Sequence, residues 1–92
     1  MWYVYILQSE LNGSFYKGHT NDIAFRLKEH NNGEEPYTSK FVPWKLRWCC
    51  SKPSKKMAYQ LELKLKNLSR KKIEEFIAKY YSDNIANVIV RP

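Results

Sequence analysis

Tyr5, Tyr16, Arg26, His30 and Glu62 are the residues of this chain whose types and spacing could do chemistry. Tyr5 and Tyr16 lie eleven positions apart, on either side of Asn12-Gly13. A hairpin closed by any even-length loop puts both phenols on one sheet face, because strand side chains alternate with period two. Arg26 and His30 share a helix flank at i,i+4. An arginine there can grip a phosphate through two N–H groups, and a histidine can move a proton near neutral pH. Glu62 is the lone acid between Glu35 and Glu74, in a run of basic residues. Such a carboxylate, at the edge of a packed face, can hold a hard divalent cation. Each residue also has a plain structural use: Glu62 as an i,i+4 partner of Lys66, Arg26 as a surface charge, His30 as a half-buried ring, the tyrosines as core.

The elements that must position these side chains follow from periodicity. Residues 2–8 carry apolar or aromatic groups on both alternations and read as a strand covered on both faces. Asn12-Gly13 signals a hairpin, and 14–19 returns as the second strand. A two-residue Asn-Gly loop sets Tyr16 opposite Ser9, about 13 Å from Tyr5. A four-residue loop from Ser9 to Asn12 sets Tyr5 opposite Tyr16, the register a shared site needs; sequence does not choose between them. Asn21-Asp22 caps a helix from Ile23 to about Asn31 that Asn32-Gly33 ends, with Ile23, Leu27 and His30 on one stripe and Arg26 at its edge. Residues 32–43 form a loop, and Trp44–Cys50 a third strand with Trp44, Leu46 and Trp48 alternating against Lys45 and Arg47. Pro53-Ser54 opens a second helix to Leu68 with a buried stripe of Met57, Ala58, Leu61, Leu65 and Leu68. Ser69 caps a third, in which Ile73, Phe76, Ile77 and Tyr80 recur at helical spacing, and Ile85–Val90 reads as a fourth strand or an ordered extension. The expected fold is α+β: one domain over 1–92, with its core in 2–80 and a tail over 81–92.

Ninety-two residues, 43% hydrophobic and 15% aromatic, suit a folded domain with one modest core. Residues 1–46 are neutral, with five basic and five acidic side chains, while residues 47–92 carry eleven against four and hold the whole net charge of +7. A polyanion is the partner such a half attracts, nucleic acid being the commonest, although a lysine-rich helix can also be merely a solvated face. Adjacent Cys49 and Cys50 have no other cysteine to pair with and no zinc-ligand spacing, so reduced thiols in a cytoplasmic protein are expected. No signal peptide and no membrane span is expected.

Taken together and in order, the motifs resemble those of the GIY-YIG nuclease family, in its standalone bacterial form. Tyr3-Val4-Tyr5 stands for Gly-Ile-Tyr, and Tyr16-Lys17-Gly18 for Tyr-Ile-Gly. Arg26-Leu27-Lys28-Glu29-His30-Asn31 is close to the family's Arg-Leu-x-x-His-Asn, and Ala58-Tyr59-Gln60-Leu61-Glu62 looks like its Ala-x-x-x-Glu helix. Tyr3 brings bulk where the family has glycine, and could turn to the opposite surface. Lys17 replaces an apolar residue, and His19 stands where the DNA-repair members carry lysine.

The resemblance implies a three-stranded antiparallel sheet flanked by helices, and hydrolysis of nucleic-acid phosphodiesters with one divalent ion, Mg2+ or Mn2+. By it, Glu62 ligates the metal, and Tyr5 and Tyr16 flank the scissile phosphate, one as general base. Arg26 stabilises phosphoryl charge, and His30 assists with protons or phosphate. Gly18 lets a backbone pass close to substrate, and Lys17, His19 and Lys66 complete the substrate contacts. A tyrosine is a poor base at its usual pKa of about 10, and Arg26, Lys17 and a metal are expected to lower it. Lys52, Lys55, Lys56, Lys64, Arg70, Lys71 and Lys72 would supply salt-sensitive binding to nucleic acid, DNA ahead of RNA, with a partner protein as a further source of specificity. The rival readings are a nucleic-acid-binding module of the same fold that turns nothing over, and a protein-interaction domain with an acidic partner.

Overall fold

Strand β1 (Trp2–Ser9) lies between β2 (Phe15–Thr20) and β3 (Trp44–Lys52), antiparallel to both, so the sheet runs β2-β1-β3 with β2 on an edge. The computed structural model describes residues 1–86. Helix α1 (Ile23–Asn31) follows β2, and α2 (Lys55–Lys66) and α3 (Arg70–Lys79) follow β3, completing an α+β fold. Each helix begins where a short polar side chain accepts from a backbone N–H of the first turn: Asp22 from Phe25 at 3.1 Å, Ser54 from Met57 at 3.2 Å, Ser69 from Lys72 at 3.3 Å. The segment between α1 and β3 is not wholly irregular, since Thr38–Phe41 forms a 3-10 turn.

The sheet separates two apolar layers. On one face Val4, Ile6, Trp48 and Cys50 pack with Ala58 and Leu65 of α2 and Ile73 and Ile77 of α3. On the other, Tyr5, Leu7 and Cys49 pack with Ile23 of α1, Trp44 and Ala86, with Tyr3, Tyr16 and Leu27 against them. The first strand is thus covered on both sides, as its double apolar alternation requires. Tyr3 shares the Tyr5 face and does not turn to the opposite surface. The expected single face for Trp44, Leu46 and Trp48 is corrected too. The pairing of β1 with β3 slips between Ile6 and Leu7, so Ile6 faces Trp48 while Leu7 faces Leu46. One extra residue, Arg47, shifts parity and sends Trp48 to the face opposite Trp44.

Neither expected hairpin register occurs. Tyr5 pairs with Gly18 and Leu7 with Tyr16, two residues from each alternative. The loop is four residues, 10–13, closed by Ser9 N–H to Ser14 O and Gly13 N–H to Ser9 O, both 2.9 Å. Ser9 sets it: its hydroxyl accepts from the amides of Leu11 and Asn12 at 3.1 and 3.2 Å and donates to the Phe41 carbonyl at 2.6 Å. Gly13, at φ +77°, supplies the left-handed residue that ends the turn. Parity survives, because the loop is even, and the two phenols share a face as diagonal neighbours.

The second helix differs from expectation in its stripe. It stops at Lys66, capped by Asn67, and Met57 is exposed, whereas Glu62 is buried at 5% exposure. Tyr80 also lies at the surface. Both cysteines are free and buried. Ile85 donates to the Cys49 carbonyl at 2.8 Å, and the remainder of the expected fourth strand, 87–90, lies outside the described residues.

Candidate active site

Tyr5 is 1% exposed in the middle of the sheet, and its ring runs sideways over β2. It can do so because residue 18 is glycine: a Cβ there would sit 2.5 Å from Tyr5 Cζ and overlap the phenol oxygen. The space left by Gly18 is therefore filled by a phenol of this chain rather than left for a substrate backbone. Tyr5 Oη lies 3.1 Å from His30 Nε2, and His30 Nδ1 lies 2.8 Å from the Thr38 hydroxyl. Thr38 is held in turn, its N–H donating to Glu35 and its carbonyl accepting from the Trp44 indole, both at 2.8 Å. Tyr16 closes the cluster, its ring edge-on to His30 at 4.9 Å and 6.4 Å from Tyr5 between centroids. The Arg26 guanidinium stands beside the Tyr5 phenol and reaches Glu29 at 3.4 Å.

Burial dominates the electrostatics here. Burial, reinforced by Tyr16, raises the Tyr5 pKa well above its usual value, and the adjacent Arg26 does not offset that. Arg26 acts in the expected direction, but burial outweighs it and favours the protonated phenol. Burial and then Arg26 push His30 down to about 4, and with both ring nitrogens engaged it is a neutral link between Tyr5 and Thr38 rather than a proton carrier near pH 7.

The second half of the site comes from the opposite face of the sheet. Lys17 and His19 alternate with Tyr16 and Gly18 along β2 and so point toward α2. His19 Nδ1 lies 2.8 Å from Glu62 Oε1, and Lys66 Nζ lies 3.0 Å from Glu62 Oε2. Glu62 is thus both the helical partner of Lys66 and the anchor of His19. The bond to Glu62 raises the Lys66 pKa, while burial and then Lys66 lower that of Lys17. The two halves flank neighbouring residues of β2: the Tyr5 phenol covers Gly18 on one side, and His19 holds Glu62 on the other.

For a divalent metal this edge offers one carboxylate. Among the described residues no three His, Cys, Asp or Glu side chains gather into a cage. Each Glu62 oxygen accepts one bond and retains a lone pair, and Lys66, the donor to Oε2, is 52% exposed. The set fits a hard cation that takes one protein oxygen and draws on water and phosphate for the rest. Sequence reasoning missed Thr38, whose only local signal was a hydroxyl eight residues after His30, and the bond from Glu62 to His19, forty-three residues apart.

A three-stranded antiparallel sheet with helices packed on both faces is the fold of one class of protein. The model of the GIY-YIG catalytic domain matches residues 1–75, and the chain belongs to the GIY-YIG family, a domain of nuclease type. Within that family it is similar to small proteins named UPF0213. One from Bacillus licheniformis is 42% identical over 76 residues, covering 82% of this chain and 77% of its own. Another, from Streptococcus pneumoniae, is 36% identical over 84 residues, covering 90% and 84%. The solution NMR structure of the UPF0213 protein from Bacillus halodurans superposes with a TM-score of 0.55 at 39% identity, covering 85% of this chain and 84% of that one. Among the described residues no helix is long and apolar enough to cross a membrane.

Proposed function

We propose that this chain is a metal-dependent endonuclease that hydrolyses phosphodiester bonds of nucleic acid at the β2 edge, with Glu62 as the metal ligand. The observation that carries the reading is the crowding of β2 from both sides: the Tyr5 phenol fills the space at Gly18 beside Tyr16 and Arg26, while the next residue, His19, holds Glu62 of α2 at 2.8 Å. A magnesium or manganese ion on Glu62, when bound, neutralises charge that builds on the phosphate. Arg26 grips the phosphoryl oxygens through its guanidinium. Tyr16, half-buried and so the more accessible phenol, would act as a phenolate whose own proton has first passed to solvent, taking the proton of the attacking water while the water oxygen bonds to phosphorus and the bond to the leaving oxygen breaks. Tyr5 stays protonated and donates, held in direction by His30 and Thr38. Lys17, His19 and Lys66 line the approach of the strand, and the basic second half supplies the field that draws it in. Free buried Cys49 and Cys50 are consistent with work in the reducing cytoplasm.

One observation favours a second reading, a nucleic-acid-binding module without turnover: both Glu62 oxygens already have cationic or imidazole partners. Incubation with single-stranded, duplex and branched DNA and with RNA, in Mg2+ or Mn2+, separates the two. The nuclease reading expects cleavage that EDTA stops and that Glu62→Ala lowers at least a hundredfold. Binding with no cleavage by either protein establishes the module instead.

A further inference from the structure

We infer that Tyr59, with Trp2, His19, Lys55 and Lys56, forms a platform for one unstacked nucleobase and its phosphate, so that the chain selects single-stranded over duplex nucleic acid. This deepens the reading above and rests on it only in assuming that the β2 edge takes nucleic acid.

His19 anchors the platform. While its Nδ1 holds Glu62, its ring lies 5.9 Å from the Trp2 ring and 5.7 Å from that of Tyr59 between centroids. His19, Tyr59, Lys55 and Lys56 line one open recess beside the site. Lys55 Nζ stands 5.3 Å above the centroid of Trp2. Tyr59 lies one helical turn before Glu62 on the adjoining flank of α2 and leaves 47% of its surface exposed.

These features fit one ligand chemistry. An exposed aromatic ring next to two ammonium groups gains from a flat, apolar face joined to an anion, which is what a nucleotide presents. In a duplex both faces of each base are covered by neighbours, so the ring has nothing to stack on; in a single strand each base offers a face. Stacking ignores base identity, so the platform predicts preference for strandedness without sequence preference. Because His19 belongs both to the platform and to the Glu62 bond, a base seated on Tyr59 brings an adjoining phosphate toward Glu62.

The test is binding in EDTA, which keeps it apart from cleavage. Fluorescence anisotropy is measured with a mixed-sequence 12-nucleotide strand, deoxy and ribo, and with its duplex, at low salt. The platform expects tighter binding of the single strands than of the duplex. It also expects Tyr59→Ala to weaken single-strand binding about fivefold or more, to change duplex binding less than twofold, and to leave the melting temperature unaltered. Tyr59→Phe keeps the ring and retains wild-type binding. Lys56→Gln flattens the salt dependence by about one ion, the mark of a lost phosphate contact. Wild-type affinity of Tyr59→Ala for single strands, or duplex binding as tight as single-strand binding, overturns the platform, whether or not the protein cleaves. Absence of cleavage with the Tyr59 effect intact overturns only the nuclease reading.

Discussion

The two sides of the β2 edge are built on opposite principles. On the α1 face, Tyr5, His30 and Thr38 form a dry chain of neutral groups, each buried and each holding the next. On the α2 face, Glu62, His19 and Lys66 form an ionic cluster whose lysine is half in water. A buried neutral chain is costly to disturb, because a broken link leaves a desolvated polar atom without a partner. The carboxylate of Glu62 is buried and must keep a partner, but the half-exposed Lys66 ammonium is partly screened and is the partner most cheaply exchanged. The dry side is thus suited to hold direction, and the ionic side to exchange partners when a cation or a phosphate arrives.

That contrast can be broken most forcefully by acid. The folded-state pKa of His30 is depressed, so its contribution is full above the unfolded value near 6.5 and is lost as pH falls toward about 4. The difference amounts to something on the order of 3 kcal/mol at the acid end of that window. Thermal melts from pH 7.5 to 4.5 are expected to fall more steeply for the wild type than for His30→Gln, which cannot titrate. Parallel curves would mean that His30 is not held neutral. Gly18→Ala comes next. Its methyl overlaps the Tyr5 phenol, and overpacking of this kind costs about 2 kcal/mol, read as a melting temperature lower by about 10 °C. Cleavage is expected to fall with it, since the ring must leave its seat.

Thr38→Val tests the far end of the chain. It strands one nitrogen of His30 and is expected to cost about 1–2 kcal/mol in urea unfolding, while activity falls although residue 38 touches no substrate. An unchanged midpoint would show that Thr38 does not hold the imidazole. Lys66→Ala should be the mildest. The half-exposed ammonium is screened and His19 still holds the buried Glu62, so losing the ammonium is expected to cost only about 1 kcal/mol, yet to weaken nucleic-acid binding measurably at low salt. A large fall in stability there would erase the distinction between the two sides.

Much of this was legible in the chain, and what was not has a common physical origin. Asp22, Ser54 and Ser69 start their helices as their types predict, because capping is settled within three residues. The two-sided burial of β1 and the shared face of Tyr5 and Tyr16 followed from alternation alone. Local periodicity could not see the partners that fix register. The hairpin loop answers to the hydroxyl of Ser9, tied to Phe41 thirty-two residues on, so Asn12-Gly13 alone gave the wrong pairing. The face of Trp48 was misread because one extra residue at Arg47 resets the alternation. The acid–base character of Tyr5 and His30 depends on how dry their surroundings are, which is set by the whole packed face. Glu62 was recognised as singular, but its burial could not be read beside Leu61 and Leu65 without knowing where His19 would lie.

The Ser9 hydroxyl also bears on where this molecule can be engineered. A hairpin tip is ordinarily the easiest place to splice in a tag, a reporter or a second domain. Here Ser9 holds the tip amides of Leu11 and Asn12 on one side and the Phe41 carbonyl on the other, while the Glu10 amide binds Pro43 at 2.8 Å. The tip is stitched to the very segment that carries Thr38, so cargo grafted between Leu11 and Gly13 would loosen a tyrosine pair several residues away. The stretch at 34–36, ahead of the Thr38–Phe41 turn, is no safer, since the half-buried Glu35 accepts from the Thr38 N–H. Fusion partners belong instead on the outer surface of α3, which packs Ile73 and Ile77 on the sheet face opposite the phenols.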